Sequence, residues 1–168
     1  TFPAKFQLIA AMNPCPCGYK GSERCNCSAE KIARYQGKIS GPILDRIDLH
    51  IAVNNIENKQ LFQANKNLEG DSNQQIIQRV NQARALQMTR QGMVNARLDN
   101  QQLKKVCPLN GEQQDFLDRA INSYKLSTRS FHRLLKVARS IADLAGNETP
   151  DISAYQEALS YRNQFTTG

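Results

Sequence analysis

The chain has 168 residues, 40% of them hydrophobic and none of them tryptophan, with a mean hydropathy of −0.57. That is enough for one ordinary domain or two small ones, each with a core, in a water-facing and helix-rich protein. The formal charge of +7 is spread over the chain, with nine basic and six acidic residues in 1–70 and thirteen and nine in 71–168, which suits a polyanionic partner without demanding one.

No apolar run approaches the ~20 residues that cross a bilayer, and no basic-then-apolar leader opens the chain. The expectation is a cytoplasmic protein with no membrane partner. In that reducing setting, closely spaced cysteines bind metal more often than they form disulfides.

Residues 6–12, FQLIAAM, are a short apolar run closed by Asn13-Pro14 and read as a buried strand. Asn13 is then either a turn-former or an amide at the carboxyl end of a parallel strand. The second position would let it orient a water or a phosphate oxygen.

Directly after it come Cys15-x-Cys17 and, seven residues later, Cys25-x-Cys27, with Pro16, Gly18 and Gly21 supplying turns. Four thiolates on a tight loop suit a tetrahedral Zn²⁺, although the inner spacing is tighter than in common fingers. Reduced free thiols, or a site that loses its metal in preparation, are the competing readings.

SAEKIARYQG, with Ser28 as cap and Gly37 as stop, predicts a short helix. A turn at Gly41-Pro42 leads to a second strand over 46–53, where Ile47, Leu49, Ile51 and Val53 alternate with more polar residues. Arg46 lies between Asp45 and Asp48. It either pairs with one of them or is offered to the nucleotide of a neighbouring subunit. Two strands and one short helix cannot satisfy their own edges, so they read as part of a larger parallel sheet.

The polar, irregular stretch that follows reads as a linker, after which the period becomes helical. DSNQQIIQRVNQARALQMTR places Ile76, Val80 and Ala83 on one face, and NGEQQDFLDRAINSY places Phe116, Leu117, Ala120, Ile121 and Tyr124 on another. Cys107, between these segments, reads as a small buried apolar residue. LSTRSFHRLLKVARSIADLAG carries Phe131, Leu134, Leu135, Ala138, Ile141, Ala142 and Ala145 on one stripe, with Ser127 as N-cap and Gly146 as stop. A last helix, SAYQEALSYR, follows Asp151.

Arg129, Arg133 and Lys136 recur on the polar face of the third of these helices. Such a face is usually solvated, but Arg129 sits in the first turn, where a cation opposes the helix dipole. That placement points to an anion expected there. His50 and His132 have no ligand-spaced neighbours, and no Ser/His/Asp or Cys/His set exists. No G-x-x-x-x-G-K-[ST] occurs in the chain, and no apolar run ends in paired acids.

Together, AAMNPCPCGY, RY, ISGPILDRIDLHIAV, NARL, LSTRSFHRLLKVARSIADLAG and EALSYR resemble, in order, the C-terminal part of the ComM/YifB family of magnesium-chelatase-like AAA+ ATPases. The resemblance implies a mainly α fold: an AAA+ helical lid bundle preceded by the remnant of an α/β P-loop core with two strands and one short helix. The implied divisions are 1–54 for the end of the core, 55–71 for a linker and 72–168 for the lid. With the phosphate-loop strand absent, residues 1–70 are expected to be poorly ordered or rearranged.

By the same resemblance Asn13 is the sensor-1 residue, Arg46 the arginine finger and Arg129 the sensor-2 arginine of the lid. The planar guanidinium fork suits the last two roles because it grips phosphate oxygens in fixed geometry. The implied parent is a hexameric ATPase that uses ATP and Mg²⁺ and drives a DNA helicase or branch-migration motor in recombination and natural transformation. Its partners are other copies of itself and single-stranded or branched DNA, while this piece alone is expected to be monomeric and inactive.

Cys15, Cys17, Cys25 and Cys27 form the expected Zn²⁺ site. By resemblance they also separate the ComM-like group from the true magnesium chelatase motor subunit of tetrapyrrole synthesis, whose corresponding loop looks cysteine-free. That motor subunit, and a stand-alone zinc nucleic-acid-binding module, are the competing functions.

Overall fold

The computed structural model describes residues 6–53 and 71–162. The chain divides into two units: residues up to Leu44, and Asp45 onward. Most of the linker expected over 55–71 lies outside the described residues.

In the first unit, α1 (Ala29–Gln36) begins where Ser28 accepts the backbone N–H of Lys31, and it ends at Gly37, as its caps predict. The expected turn at Gly41-Pro42 is a single helical turn, α2 (Gly41–Leu44), in which the Ser40 carbonyl accepts from both Ile43 and Leu44. Proline is tolerated there because the first N–H groups of a helix have no intrahelical acceptor.

The two expected strands are not present: no strand forms among the described residues. Residues 6–12 are irregular, with Phe6, Leu8 and Ile9 exposed at 76%, 68% and 85%. A strand holds its shape by handing N–H and C=O groups to a neighbouring strand, and neither apolar run has one here. The second run, 46–53, is also irregular and directs its His50 N–H to the Tyr161 carbonyl at 2.7 Å.

The second unit is helical. α3 (Asn73–Gln91) opens with a capping box between Ser72 and Gln75 and stops at Gly92, which is left-handed at φ 72°. Of the stripe expected on this helix only Ala83 is buried; Ile76 and Val80 stay exposed, because only the C-terminal part packs on the bundle. A 3₁₀ turn (Asn95–Arg97) and α4 (Asn100–Val106) follow, the latter with its own capping box between Asp99 and Gln102. α5 (Gly111–Tyr124), α6 (Thr128–Ala145) and α7 (Ile152–Ser160) complete the unit.

The core gathers around α6. Leu134, Leu135, Ala138 and Ala142 are buried as its periodicity predicts, while Ala145 is exposed. Leu103, Leu117 and Tyr155 meet them from α4, α5 and α7, and Cys107 is buried among them as a small apolar residue. Each fully buried leucine contributes roughly 1.5–3 kcal/mol.

Gly146 ends α6 at φ 75°, with its N–H on Asp143 and the Asn147 N–H on Ala142, which is a Schellman closure. Below that end lies a buried polar knot. Asp143 accepts from Arg90 Nη1 at 2.5 Å, Arg139 Nη2 at 2.8 Å and Asn95 Nδ2 at 2.8 Å. Burial by itself raises the Asp143 carboxyl pKa, but the hydrogen bonds from Arg90 and Asn95 and the Arg139 charge outweigh it and hold the carboxyl below its usual value.

Candidate functional site

In the first unit the four loop cysteines converge. The Sγ–Sγ separations are 3.3 Å for Cys15–Cys17, 3.7 Å for Cys17–Cys25 and 3.9 Å for Cys15–Cys25, and all four sulfurs lie within 4.8 Å of one another. Local turns bring them there. The Gly18 N–H closes a turn on the Cys15 carbonyl, the Cys25 N–H closes one on Ser22, and Gly18 and Gly21 hold φ of 83° and 88° that side chains resist.

Four sulfurs around one ion at ~2.3 Å would stand about 3.8 Å apart. The observed separations fit a single tetrahedral cation, and the all-thiol donor set suits Zn²⁺. A multi-iron cluster would hold its thiolates farther apart.

The charges agree. The Tyr19 backbone N–H, with the Cys15 thiol, pulls the Cys17 pKa down to about 6. At Cys25 the Cys27 backbone N–H favours the thiolate, but burial and the neighbouring thiols outweigh it and push that thiol up to about 11. Cys27 is raised against the Cys17 backbone N–H in the same way. One thiolate holds its neighbours protonated, and a bound cation would let all four ionise.

Asn13 is exposed and leans over the Gly18 turn, so that a Cβ at Gly18 would meet its side-chain nitrogen at 3.7 Å. Gln36, at the end of α1, donates to the Pro14 carbonyl at 3.0 Å and ties the start of the cysteine loop to that helix.

The second unit holds the two candidate arginines. Arg129 is exposed in the first turn of α6, and among the described residues it has no hydrogen bond or ion pair. It lines a groove of about 890 Å³ together with His132, Arg133, Lys136, Leu49 and Ile51. Burial, with the Arg133 charge, lowers the Lys136 ammonium pKa, and its Nζ donates to the Ala96 carbonyl at 3.1 Å. The groove therefore presents cationic groups beside an apolar wall.

Arg46 is exposed, and both acids beside it in sequence are engaged by the bundle. Asp45 accepts from Ser127 Oγ at 3.2 Å and from Ser130 Oγ at 3.1 Å, and Asp48 pairs with Arg133 Nη1 at 2.5 Å. The anion at the head of α6 is thus supplied in part by Asp45, next to the N-cap serine, where the dipole favours it.

The structure brings residues 45–50 to the end of α6 that carries Arg129; Asn13 belongs to the other unit. The periodicity of α6 marks Arg133 only as part of a polar face. Ser130 and the buried Arg162, which donates to Ser130 Oγ at 3.1 Å, carry no local signal in the sequence at all.

Comparison with known proteins places the chain in a family. Residues 70–162 match the family model described as magnesium chelatase, subunit ChlI C-terminal, and residues 1–61 match that described as magnesium chelatase, subunit ChlI. The chain is 41% identical over 161 residues to "Competence protein ComM" of Haemophilus influenzae, covering 96% of this chain and 31% of that protein. It is 39% identical over 166 residues to "Uncharacterized protein YifB" of Escherichia coli and 37% identical over 165 residues to "Uncharacterized protein Rv2897c" of Mycobacterium tuberculosis, covering 96% of this chain and 32% of each relative. The chain spans about a third of the length of the relatives it matches. It belongs to the magnesium-chelatase-like AAA+ family, of which it carries the C-terminal helical domain.

Proposed function

We propose that this chain is the sensor and lid portion of a ring-forming, hexameric AAA+ ATPase that acts as a DNA helicase or branch-migration motor. The observation that carries the proposal is Arg129: a cation with no partner among the described residues, set against the dipole of α6 at the mouth of the groove. A guanidinium placed there at a cost to the helix is paired when a phosphate arrives. Arg46, on the segment fastened to the same end of α6, is the arginine finger that meets the triphosphate of a neighbouring subunit. Asn13 is the sensor-1 amide that orients the attacking water.

The chain contains no phosphate-binding loop, so ATP and Mg²⁺ are held by the longer parent protein and this piece alone is monomeric and does not hydrolyse ATP. We assign residues 1–54 to the end of the ATPase core and 72–168 to the lid, and place the protein in the cytoplasm. The name of the Haemophilus influenzae relative, a competence protein, supports a DNA substrate, single-stranded or branched, during natural transformation and recombination.

Cys15, Cys17, Cys25 and Cys27 hold one structural Zn²⁺, which would stiffen the loop that follows Asn13. Bound there, the ion would cancel the repulsion among four thiolates; it takes no part in phosphoryl transfer.

The test is steady-state ATPase and strand-unwinding rates of the full-length protein with Arg46→Ala and Arg129→Ala. Each variant is expected to lose at least about tenfold in turnover. Undiminished hydrolysis in both would remove the roles assigned here.

The wording of the matched family models favours a second reading, the motor subunit of magnesium chelatase. Single-stranded DNA binding with a steep salt dependence supports the helicase, whereas magnesium-dependent association with a porphyrin-binding partner supports the chelatase.

A further inference from the structure

We infer that residues 45–50 are a clasp that fixes Arg46 to the head of α6, so that the candidate arginine finger and the Arg129 helix move as one body. The inference rests on the proposal that Arg46 acts on nucleotide. It adds four positioning residues, Asp45, Asp48, Ser130 and Arg133, to which no role is otherwise assigned.

Three fastenings hold the clasp, and each uses a different chemistry. The Asp45 carboxylate grips the first turn of α6, taking Oγ–H donors from Ser127 and Ser130 onto its two oxygens. Ser130 is itself buried and accepts from the Arg162 guanidinium, so a buried cation backs the carboxylate through one hydroxyl. One turn further along the helix, Asp48 pairs with Arg133. The backbone then joins the end of α7, where the His50 N–H meets the Tyr161 carbonyl.

An isolated surface ion pair contributes little to stability. Here the Asp48–Arg133 pair closes a segment already held on both sides. Arg46 sits between Asp45 and Asp48, so its Cα cannot leave α6 while both acids stay engaged. A change in the angle of α6 is then transmitted directly to the guanidinium that must reach a phosphate, a group sensitive to displacements near 1 Å.

Local seating of the segment is read first. In the full-length protein, the His50 amide should exchange with solvent as slowly as amides of α6, and Asp45→Ala should speed it at least tenfold. Exchange at the rate of an open chain in the unsubstituted protein would overturn the clasp whatever Arg46 does.

Its effect on catalysis is read by a cycle of substitutions. Asp48→Arg and Arg133→Asp should each lower kcat about fivefold or more with nucleotide KM unchanged, and the double swap should restore most of it. In an Arg46→Ala background the same substitutions should have no further effect, because they act through that side chain.

Losses that add to that of Arg46→Ala, or a swap that does not rescue, would assign the pair a merely structural role and end the inference. If Arg46→Ala collapses turnover while the clasp variants keep it, the clasp fails and the proposed function stands. If Arg46→Ala leaves turnover intact, the finger assignment fails, and the clasp's catalytic role fails with it.

Discussion

Asp45 and Ser130 lie 85 residues apart in sequence, yet the serine hydroxyl donates to the Asp45 carboxylate at 3.1 Å while accepting from the buried Arg162 guanidinium at the same distance. One hydroxyl therefore links an acid and a guanidinium that form no salt bridge with each other. Removing it leaves two charged groups short of a partner in a place where water is largely excluded.

Ser130→Ala is expected to destabilise the helical unit by about 1–3 kcal/mol, the cost of leaving buried polar groups unsatisfied. Urea unfolding followed by circular dichroism measures it. A change below a few tenths of a kcal/mol would mean that the hydroxyl is dispensable.

Asp143→Ala should be more severe. Arg139 and Asp143 have fully buried side chains, and Arg139 has no other acid within ion-pair distance among the described residues. Breaking such a pair from one side costs roughly 3–5 kcal/mol because the other charge stays buried. Thermal unfolding of the variant and of the unsubstituted chain should differ accordingly.

The same carboxylate sets the acid limb of stability. The Asp143 pKa is lower folded than unfolded, so its contribution is present above the ordinary carboxylate pKa and is lost as pH falls through the depressed folded value. Stability should therefore decline below about pH 4 in the unsubstituted chain, and less steeply in Asp143→Asn. At the other end, burial pushes the Cys107 thiol up to about 11, so its contribution is lost as pH rises from the ordinary thiol range through that value. Denaturant midpoints measured across pH, with Cys107→Ala as control, check both limbs.

Lys125→Gly should stabilise the bundle. Lys125 ends α5 at φ 48°, a left-handed conformation in which Cβ crowds the following carbonyl, at a cost of about 1–2 kcal/mol that glycine escapes. Glycine's greater freedom in the unfolded chain takes back about 0.4–1 kcal/mol, leaving a net gain near 0.5–1 kcal/mol. An unchanged or lowered melting temperature would contradict this.

For the thiol loop the expectation is one equivalent of zinc per chain, or one of cobalt with a tetrahedral thiolate absorption band. Binding should release protons, because the raised Cys25 and Cys27 thiols must ionise, and affinity should fall as pH falls. Cys15→Ser should abolish stoichiometric binding, since this buried sulfur touches two of the other three. A metal content well below one equivalent in freshly prepared protein would remove the centre.

Much of the fold was legible from local chemistry. The N-cap serines Ser28 and Ser127 and the stop glycines Gly37 and Gly146 stand where the helices begin and end, since a cap is a contact among near neighbours in sequence. The α6 stripe was readable for a related reason: an 18-residue helix buries one continuous face. The convergence of the cysteines was readable too, because turns at Gly18 and Gly21 leave the thiols little choice.

The apolar run at 6–12 and the alternation at 46–53 predicted strands that do not form, since such a segment holds as a strand only where another strand accepts its hydrogen bonds. Stripe counting likewise overestimated the burial of α3, whose N-terminal half has no packing partner among the described residues.

The sequence by itself determined the longer helices, the limits of α1 and α6 and the gathering of the thiols, because each depends on residues within a few turns of one another, whereas α2 and α4 escaped it. Only the tertiary structure decided that Asp45 and Asp48 reach Ser130 and Arg133 across more than eighty residues, and that Asp143 balances two arginines. Packing around α6 buries Asp143 and Arg139, whose charges must then find partners, while the partners of Asp45 and Asp48 are fixed by which parts of the chain the fold brings together.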